Sequence, residues 1–308
     1  MLLKSPITIL ITFICILLSM AFFTLLERKI LGYIQLRKGP NKVSIMGIPQ
    51  PMADALKLFT KELNLPTSAN VIPFIATPML ALFLALMLWS LYPYYSSPCM
   101  MTYSIMLFLC ISSMNVYTTL FSGWASNSKY SLLGALRSIA QTISYEVSMA
   151  LVILTPMIML TTLSLNLFMK LNSFMFGLML WPLLVTWFIT SLAETNRTPF
   201  DLAEGESELV SGFNTEYSSG TFALIFMAEY MNIIAMSMIT FVLFMSLCVT
   251  SPLTETMMIM LTTLVSVLFI WARGAYPRMR YDKLMSLTWK QFLPMTLVLM
   301  TLMITTAL

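Results

Sequence analysis

The chain has 308 residues, 58% of them hydrophobic and only 10% charged, whereas a soluble globular domain carries about 25% charged residues. With a mean hydropathy of +0.85, this balance excludes an ordinary soluble domain and predicts a polytopic membrane protein. The net charge of +4 gives no reason to expect nucleic acid. The absence of histidine removes the commonest metal ligand and the usual general base.

The apolar runs approach or exceed the roughly 20 residues a spanning helix needs, far beyond the 9 to 11 or so of a spanning strand. The fold class expected is therefore all-α, a membrane helix bundle in a single transmembrane domain over 1–308. Hydropathy predicts about eight spans, with cores at 6–26, 71–92, 103–122, 132–160, 174–193, 220–249, 256–272 and 289–308. The first of these, ITILITFICILLSMAFFTLL, is too long for a cleaved signal segment and reads as a true span.

Loops 28–69, 123–131, 194–219 and 273–288 alternate with shorter ones. All but Lys4 and Lys170 of the 17 Lys and Arg fall in these four loops or just inside the adjoining helix ends. The positive-inside rule then puts these loops on the cytoplasmic or matrix side and both termini on the opposite face. Within the first loop, PQPMADALKLFTKEL at 49–63 spaces its apolar residues at helical intervals, with Asp54, Lys57, Lys61 and Glu62 largely between them. An amphipathic helix at the interface is expected there.

Two acids fall inside spans. Glu146 sits in RSIAQTISYEVSMALVIL, and Glu229 lies about ten residues, or roughly 15 Å, into the sixth span. Burial disfavours the charged form of such a group, and intramembrane acids usually mark an ion or proton route. Between spans, SLAETNRTPFDLAEGESELVSGFNTEY at 191–217 concentrates Glu194, Asp201, Glu204, Glu206, Glu208 and Glu216 against the single base Arg197. Carboxylates that close raise one another's pKa and share protons. If 202–210 is helical, Glu204 and Glu208 share a face and Glu206 points elsewhere.

The last long loop sets Arg273, Arg278, Arg280 and Lys283 beside Trp271, Tyr276, Tyr281 and Trp289, an interfacial belt that could also receive a polar headgroup. Cys15, Cys99, Cys110 and Cys248 have no metal-ligand spacing, so neither a disulfide framework nor an iron-sulfur site is expected. The 29 methionines read as flexible apolar filler.

Five stretches together resemble a known family: LLERKILGYIQLRKGPNKV at 25–43, QPMADALKLFTKE at 50–62, GALRSIAQTISYE at 134–146, AETNRTPFDLAEGESELVSGFNTEY at 193–217 and RGAYPRMRYDKLM at 273–285. They are similar, in order and across both halves of the chain, to the chain 1 family of mitochondrial NADH:ubiquinone oxidoreductase, respiratory complex I. Ser44 stands where that family often has glycine. The resemblance implies a core subunit of the inner-membrane arm, with its termini on the intermembrane-space side. It implies partners among the hydrophilic quinone-site subunits, neighbouring membrane-arm subunits and phospholipid.

The resemblance also implies that Arg28, Phe226, Met227, Arg273 and Arg278 line a ubiquinone channel. Glu27, Glu146, Glu194, Glu204, Glu206 and Glu229 would form a proton path. NADH, FMN and iron-sulfur clusters would belong to partner subunits, with no cofactor bound by this chain. The equivalent subunit of a membrane-bound hydrogenase shares parts of the scaffold. A stand-alone proton or cation transporter would also explain buried acids, although no inverted repeat is apparent.

Overall fold

A computed structural model describes residues 4–94, 101–172, 176–203, 205, 211–246 and 253–307. Every regular element among them is helical: α1 (Lys4–Ile34), α2 (Gln50–Thr60), α3 (Val71–Trp89), α4 (Ser104–Ala125), α5 (Lys129–Leu160), α6 (Leu165–Leu171), α7 (Phe176–Met179), α8 (Trp181–Glu194), α9 (Ser219–Thr240), α10 (Leu253–Ala275), α11 (Tyr281–Leu287) and α12 (Leu293–Ala307). Seven helices among the described residues are long and apolar enough to cross a membrane. The remaining predicted span, 174–193, contains two pieces, α7 and α8, with the break at Leu180 just before Trp181 and Pro182. At 1.5 Å per residue the two pieces together run about 28 Å, close to the thickness of a hydrocarbon core.

Two boundaries differ from the hydropathy reading in a way that matters for chemistry. The first helix does not stop near residue 26 but continues through Ile34, because nothing in ERKILGYI breaks a helix. Glu27 and Arg28 are therefore held on a rigid rod. The chain then turns through Leu36 (φ 57°) and Gly39 (φ 65°) and folds back so tightly that a Cβ on Gly32 would sit 3.0 Å from the Gly39 nitrogen. At the other end, the helix expected from 289 starts at Tyr281 and reaches Ala307 with one π-helical turn, Thr288–Phe292.

The predicted amphipathic segment is α2, with Pro51 at its start, where a missing N–H costs nothing. It lies against α1 and α9. Two helices are central. The α9 helix packs against α1, α2, α3, α8 and α10, and α5 against α4, α6, α8, α11 and α12. Their shared interior is apolar and close-packed, with Tyr145, Met149, Val152, Leu183, Trp187 and Met231 fully buried. The outer faces are apolar too: Ile7, Leu10, Ile11 and Ile14 on α1 are all exposed, as expected of a helix whose surroundings are lipid.

Small residues set the closest approaches. A Cβ on Gly134 of α5 would meet the backbone of Gly212 and Phe213 at 2.8–2.9 Å. This brings the end of the acidic segment directly onto α5.

Candidate functional site

The acidic segment is fixed at both ends. The α8 helix closes with Asn196 in the left-handed region (φ 50°), the Asn196 amide donating to the Ala193 carbonyl and the Arg197 amide to the Leu192 carbonyl. This is a Schellman termination, and asparagine tolerates the conformation it requires. Gln141 of α5, fully buried, donates from one nitrogen to the carbonyls of Ala193 (2.9 Å) and Phe200 (2.6 Å). At the far end Tyr217 stacks on Phe74 of α3 at 4.2 Å and donates to the Ser122 carbonyl of α4 at 3.2 Å. Burial pushes its phenol up to about 12 against the opposing hydrogen bond with Thr77.

These anchors place Arg197 beside α1 and α9. Glu27, buried, accepts from Arg197 at 3.4 Å and from Arg273 of α10 on one oxygen, and from the Tyr230 hydroxyl of α9 at 2.6 Å on the other. The Arg197 guanidinium also lies over the Tyr230 ring, 4.6 Å from its centroid. Desolvation opposes the charge on Arg197, but Glu27 and its neighbours outweigh it and hold the group above its usual pKa. Arg278 pairs with Asp201 at 3.3 Å.

On one side of α9 a cavity of about 270 Å³ opens between α1, α2 and α9. Its walls are largely apolar, with Met20, Leu58, Phe222, Phe226 and Met227 among them. Arg28 and Asp54, paired at 2.6 Å, and Tyr230 supply its polar groups. On another side of the same helix Glu229 and Asn232 face a smaller polar cavity of about 50 Å³, lined also by Thr77, Asn115, Glu194 and Asn196. Glu194, Asn115 and Asn232 continue into a further space of about 20 Å³ towards Leu84 and Met236. Buried Oε2 of Glu194 and Oδ1 of Asn196 and Asn232 have no hydrogen-bond partner within the described protein, the pattern of polar atoms that ordered water satisfies.

The structure thus brings Arg28, Phe226 and Met227 together at one cavity and Glu194 and Glu229 at another. Glu27 and Arg273 are joined in one ion cluster, and Arg278 lies outside it on Asp201. Glu146 is half-buried on α5 and lines none of these cavities, although its charge acts on Glu194. Glu204 and Glu206, with Glu208 and the proposed 202–210 helix, fall outside the described residues. Sequence reasoning missed Tyr230, Asp54 and Gln141 as parts of the site. Tyr230 was signalled only by its position next to Glu229, and Asp54 by being an acid opposite Arg28 on a short helix. Gln141 was one of several polar residues on α5, among Ser138, Thr142, Ser144 and Ser148, and nothing in the sequence set it apart from them.

An all-helical bundle with seven spans among the described residues, an apolar cavity at one face and a carboxylate-lined interior defines a polytopic membrane protein. The family comparison makes this specific: residues 7–304 match the NADH dehydrogenase family model. The chain is 52% identical over 296 residues to NADH-ubiquinone oxidoreductase chain 1 of Aedes aegypti, covering 96% of this chain and 93% of that one. It is 52% identical over 288 residues to that of Heterololigo bleekeri, covering 93% and 92%. It is 51% identical over 302 residues to that of Lampetra fluviatilis, covering 97% and 94%. The chain belongs to this family of oxidoreductase subunits.

Proposed function

We propose that the chain is a core membrane subunit of respiratory complex I in the mitochondrial inner membrane, where it forms the ubiquinone access channel and carries part of a proton path. The single observation that supports this best is the cavity between α1, α2 and α9, apolar along its walls and polar at Arg28, Asp54 and Tyr230. A quinone needs such a passage, because its tail is lipid-like and its headgroup accepts hydrogen bonds. Phe226 and Met227 then line the channel, and Arg28, Arg273 and Arg278 guide the headgroup past the interface. Glu27, Glu146, Glu194, Glu204, Glu206 and Glu229 handle charge and protons.

On this reading the basic loops face the matrix and hydrophilic quinone-site subunits, both termini face the intermembrane space, and the outer helix faces meet phospholipid and neighbouring membrane-arm subunits. NADH, FMN and iron-sulfur clusters are held by partner subunits. Among the described residues no group of three or more His, Cys, Asp or Glu is placed to hold a metal.

The test is to narrow the cavity. Ala223→Phe on α9 puts a ring into the space beside Phe226, and it is expected to raise the apparent KM for ubiquinone about tenfold, the size of a pocket-shape penalty. NADH oxidation by a hydrophilic artificial acceptor in the same assembled complex should be unchanged. A wild-type KM in the narrowed variant would overturn the channel assignment.

A further inference from the structure

The polar cavity beside Glu229 has a direction. Along α4 its wall runs from Ser122 through Thr118 to Asn115, away from the end of the bundle that carries the basic loops, and there the polar lining stops. The adjoining space of about 20 Å³ has Asn115, Asn232 and Glu194 at its inner end, shared with the polar cavity, and Leu88, Phe108 and Met236 at its outer one. All three of these apolar side chains are buried. Ser112, the last hydroxyl on this wall, donates to the Leu109 carbonyl of its own helix. A void of that size holds about one water, and a water needs polar partners, which only the inner end supplies.

Behind this apolar layer stands a second. One turn further out, Leu91 follows Leu88, Ile105 precedes Phe108 and Ile239 follows Met236, and each of them is at most 4% exposed. A spacing of three residues keeps each pair on one side of its helix. Leu91 lies in the turn that closes α3, its amide donating to the Leu88 carbonyl, and α3 packs against both α4 and α9. Further out still, the Ser104 hydroxyl donates to the Leu163 carbonyl and accepts from the Leu165 amide, so it too is engaged by backbone. Between Ser104 and Ser112 the α4 sequence is IMLFLCI, without a charge or a hydroxyl, over a rise of about 12 Å.

We propose that Leu88, Phe108 and Met236, backed by Leu91, Ile105 and Ile239, form a dry seal that closes the carboxylate cavity towards the end of the bundle away from the basic loops. A proton travels along water or titratable side chains, and a constriction of apolar side chains stops it by excluding water. Glu194 and Glu229 therefore sit in a chamber that is blind towards that face, where charge can be taken up and given back without leaking across the bundle. Ordinary core packing asks of these six positions only volume, whereas a seal also requires that the volume stay apolar. The inference rests on reading Glu194 and Glu229 as proton-handling groups.

The experiment measures passive proton conductance in vesicles that hold the assembled complex, without NADH, after a membrane potential is imposed. The wild-type complex should be tight. Phe108→Ser, which opens space and adds a hydroxyl at the constriction, is expected to raise the conductance at least about tenfold by admitting water. Met236→Gln keeps nearly the same volume and adds an amide, so it should leak without a large cavity being cut. Met149→Ser, a fully buried change on α5 that lines none of these cavities, should stay tight. Wild-type conductance in assembled Phe108→Ser and Met236→Gln overturns the proposal, and so does an equal leak in Met149→Ser, which traces the leak to loosened packing. A water-resolving map of the unsubstituted complex gives a reading that no folding defect can spoil. Water is expected beside Asn115 and Asn232 and none among Leu88, Phe108 and Met236, and a continuous file of water past Phe108 overturns the seal. Failure of the underlying reading is distinguishable: if the Phe108→Ser leak persists when Glu194→Gln and Glu229→Gln are added, the seal stands and the proton-path role of the two glutamates falls, whereas a leak that vanishes supports both.

Discussion

Glu229 and Tyr230 are consecutive on α9 yet open onto different cavities, Glu229 onto the polar space it shares with Glu194 and Tyr230 onto the apolar space between α1, α2 and α9. The helical advance of about 100° per residue separates them. The same periodicity sorts their neighbours, with Phe222, Phe226 and Met227 on one side and Ile225, Ala228 and Asn232 on the other. A single helix therefore keeps an apolar cavity and a string of polar groups one side chain apart.

The anchoring of the acidic segment is testable at Gln141. Gln141→Leu keeps most of the volume but removes the side-chain donor that ties the Ala193 and Phe200 carbonyls to α5; each carbonyl keeps a backbone donor, from Asn196 and Leu202, so the cost is that of a lost hydrogen bond, about 0.5–1.5 kcal/mol each. A lower thermal midpoint of the assembled complex is expected, with quinone reductase activity lost before NADH oxidation by an artificial acceptor. A midpoint equal to wild type would mean that the segment is held elsewhere.

Two glycines make a matched comparison. A Cβ at Gly134 collides with the Gly212 and Phe213 backbone, whereas one at Gly220 would lie 3.9 Å from the Phe59 ring, an ordinary van der Waals contact. Gly134→Ala should destabilise by about 1–3 kcal/mol through overpacking. Gly220→Ala, in a helix, should be neutral or slightly stabilising. Thermal unfolding of the two complexes side by side decides it, and equal midpoints would contradict the close contact on α5.

The Arg28–Asp54 pair is half-exposed, with side-chain exposures of 51% and 34%. Its removal should cost the fold less than about 1 kcal/mol. Its position at the apolar cavity predicts a kinetic effect instead. Arg28→Ala and Asp54→Asn should each raise the apparent KM for ubiquinone about 3–10-fold, a modest steering effect, with assembly intact on native gels. Loss of assembly in both would assign the pair to structure.

Glu146→Gln keeps size and hydrogen bonding and removes a titratable charge that acts on Glu194. Protons moved per electron should fall below wild type while the complex remains assembled, because the proposed proton path loses a titratable group. Unchanged stoichiometry in reconstituted vesicles would leave Glu146 with a packing role, in keeping with its half-buried position outside the cavities.

The sequence by itself determined the solvent and the class. Runs of apolar residues too long for strands demand helices, because only a helix satisfies its own backbone in hydrocarbon, and the acids inside those runs stood out because a charge there is costly. The amphipathic spacing of 49–63 likewise announced α2. Tertiary structure alone decided which acids share a space. Helical periodicity separates Glu229 from Tyr230, but only α3, packed on α9, and α4, across the cavity from it, turn one face into a polar cavity, and only α1 and α2 close the other. Nor does spacing along the chain reveal that Glu27 and Arg197, 170 positions apart, form one ion cluster with Arg273. Long-range ion pairing depends on where three helices and a loop meet, and local sequence carries no record of that meeting.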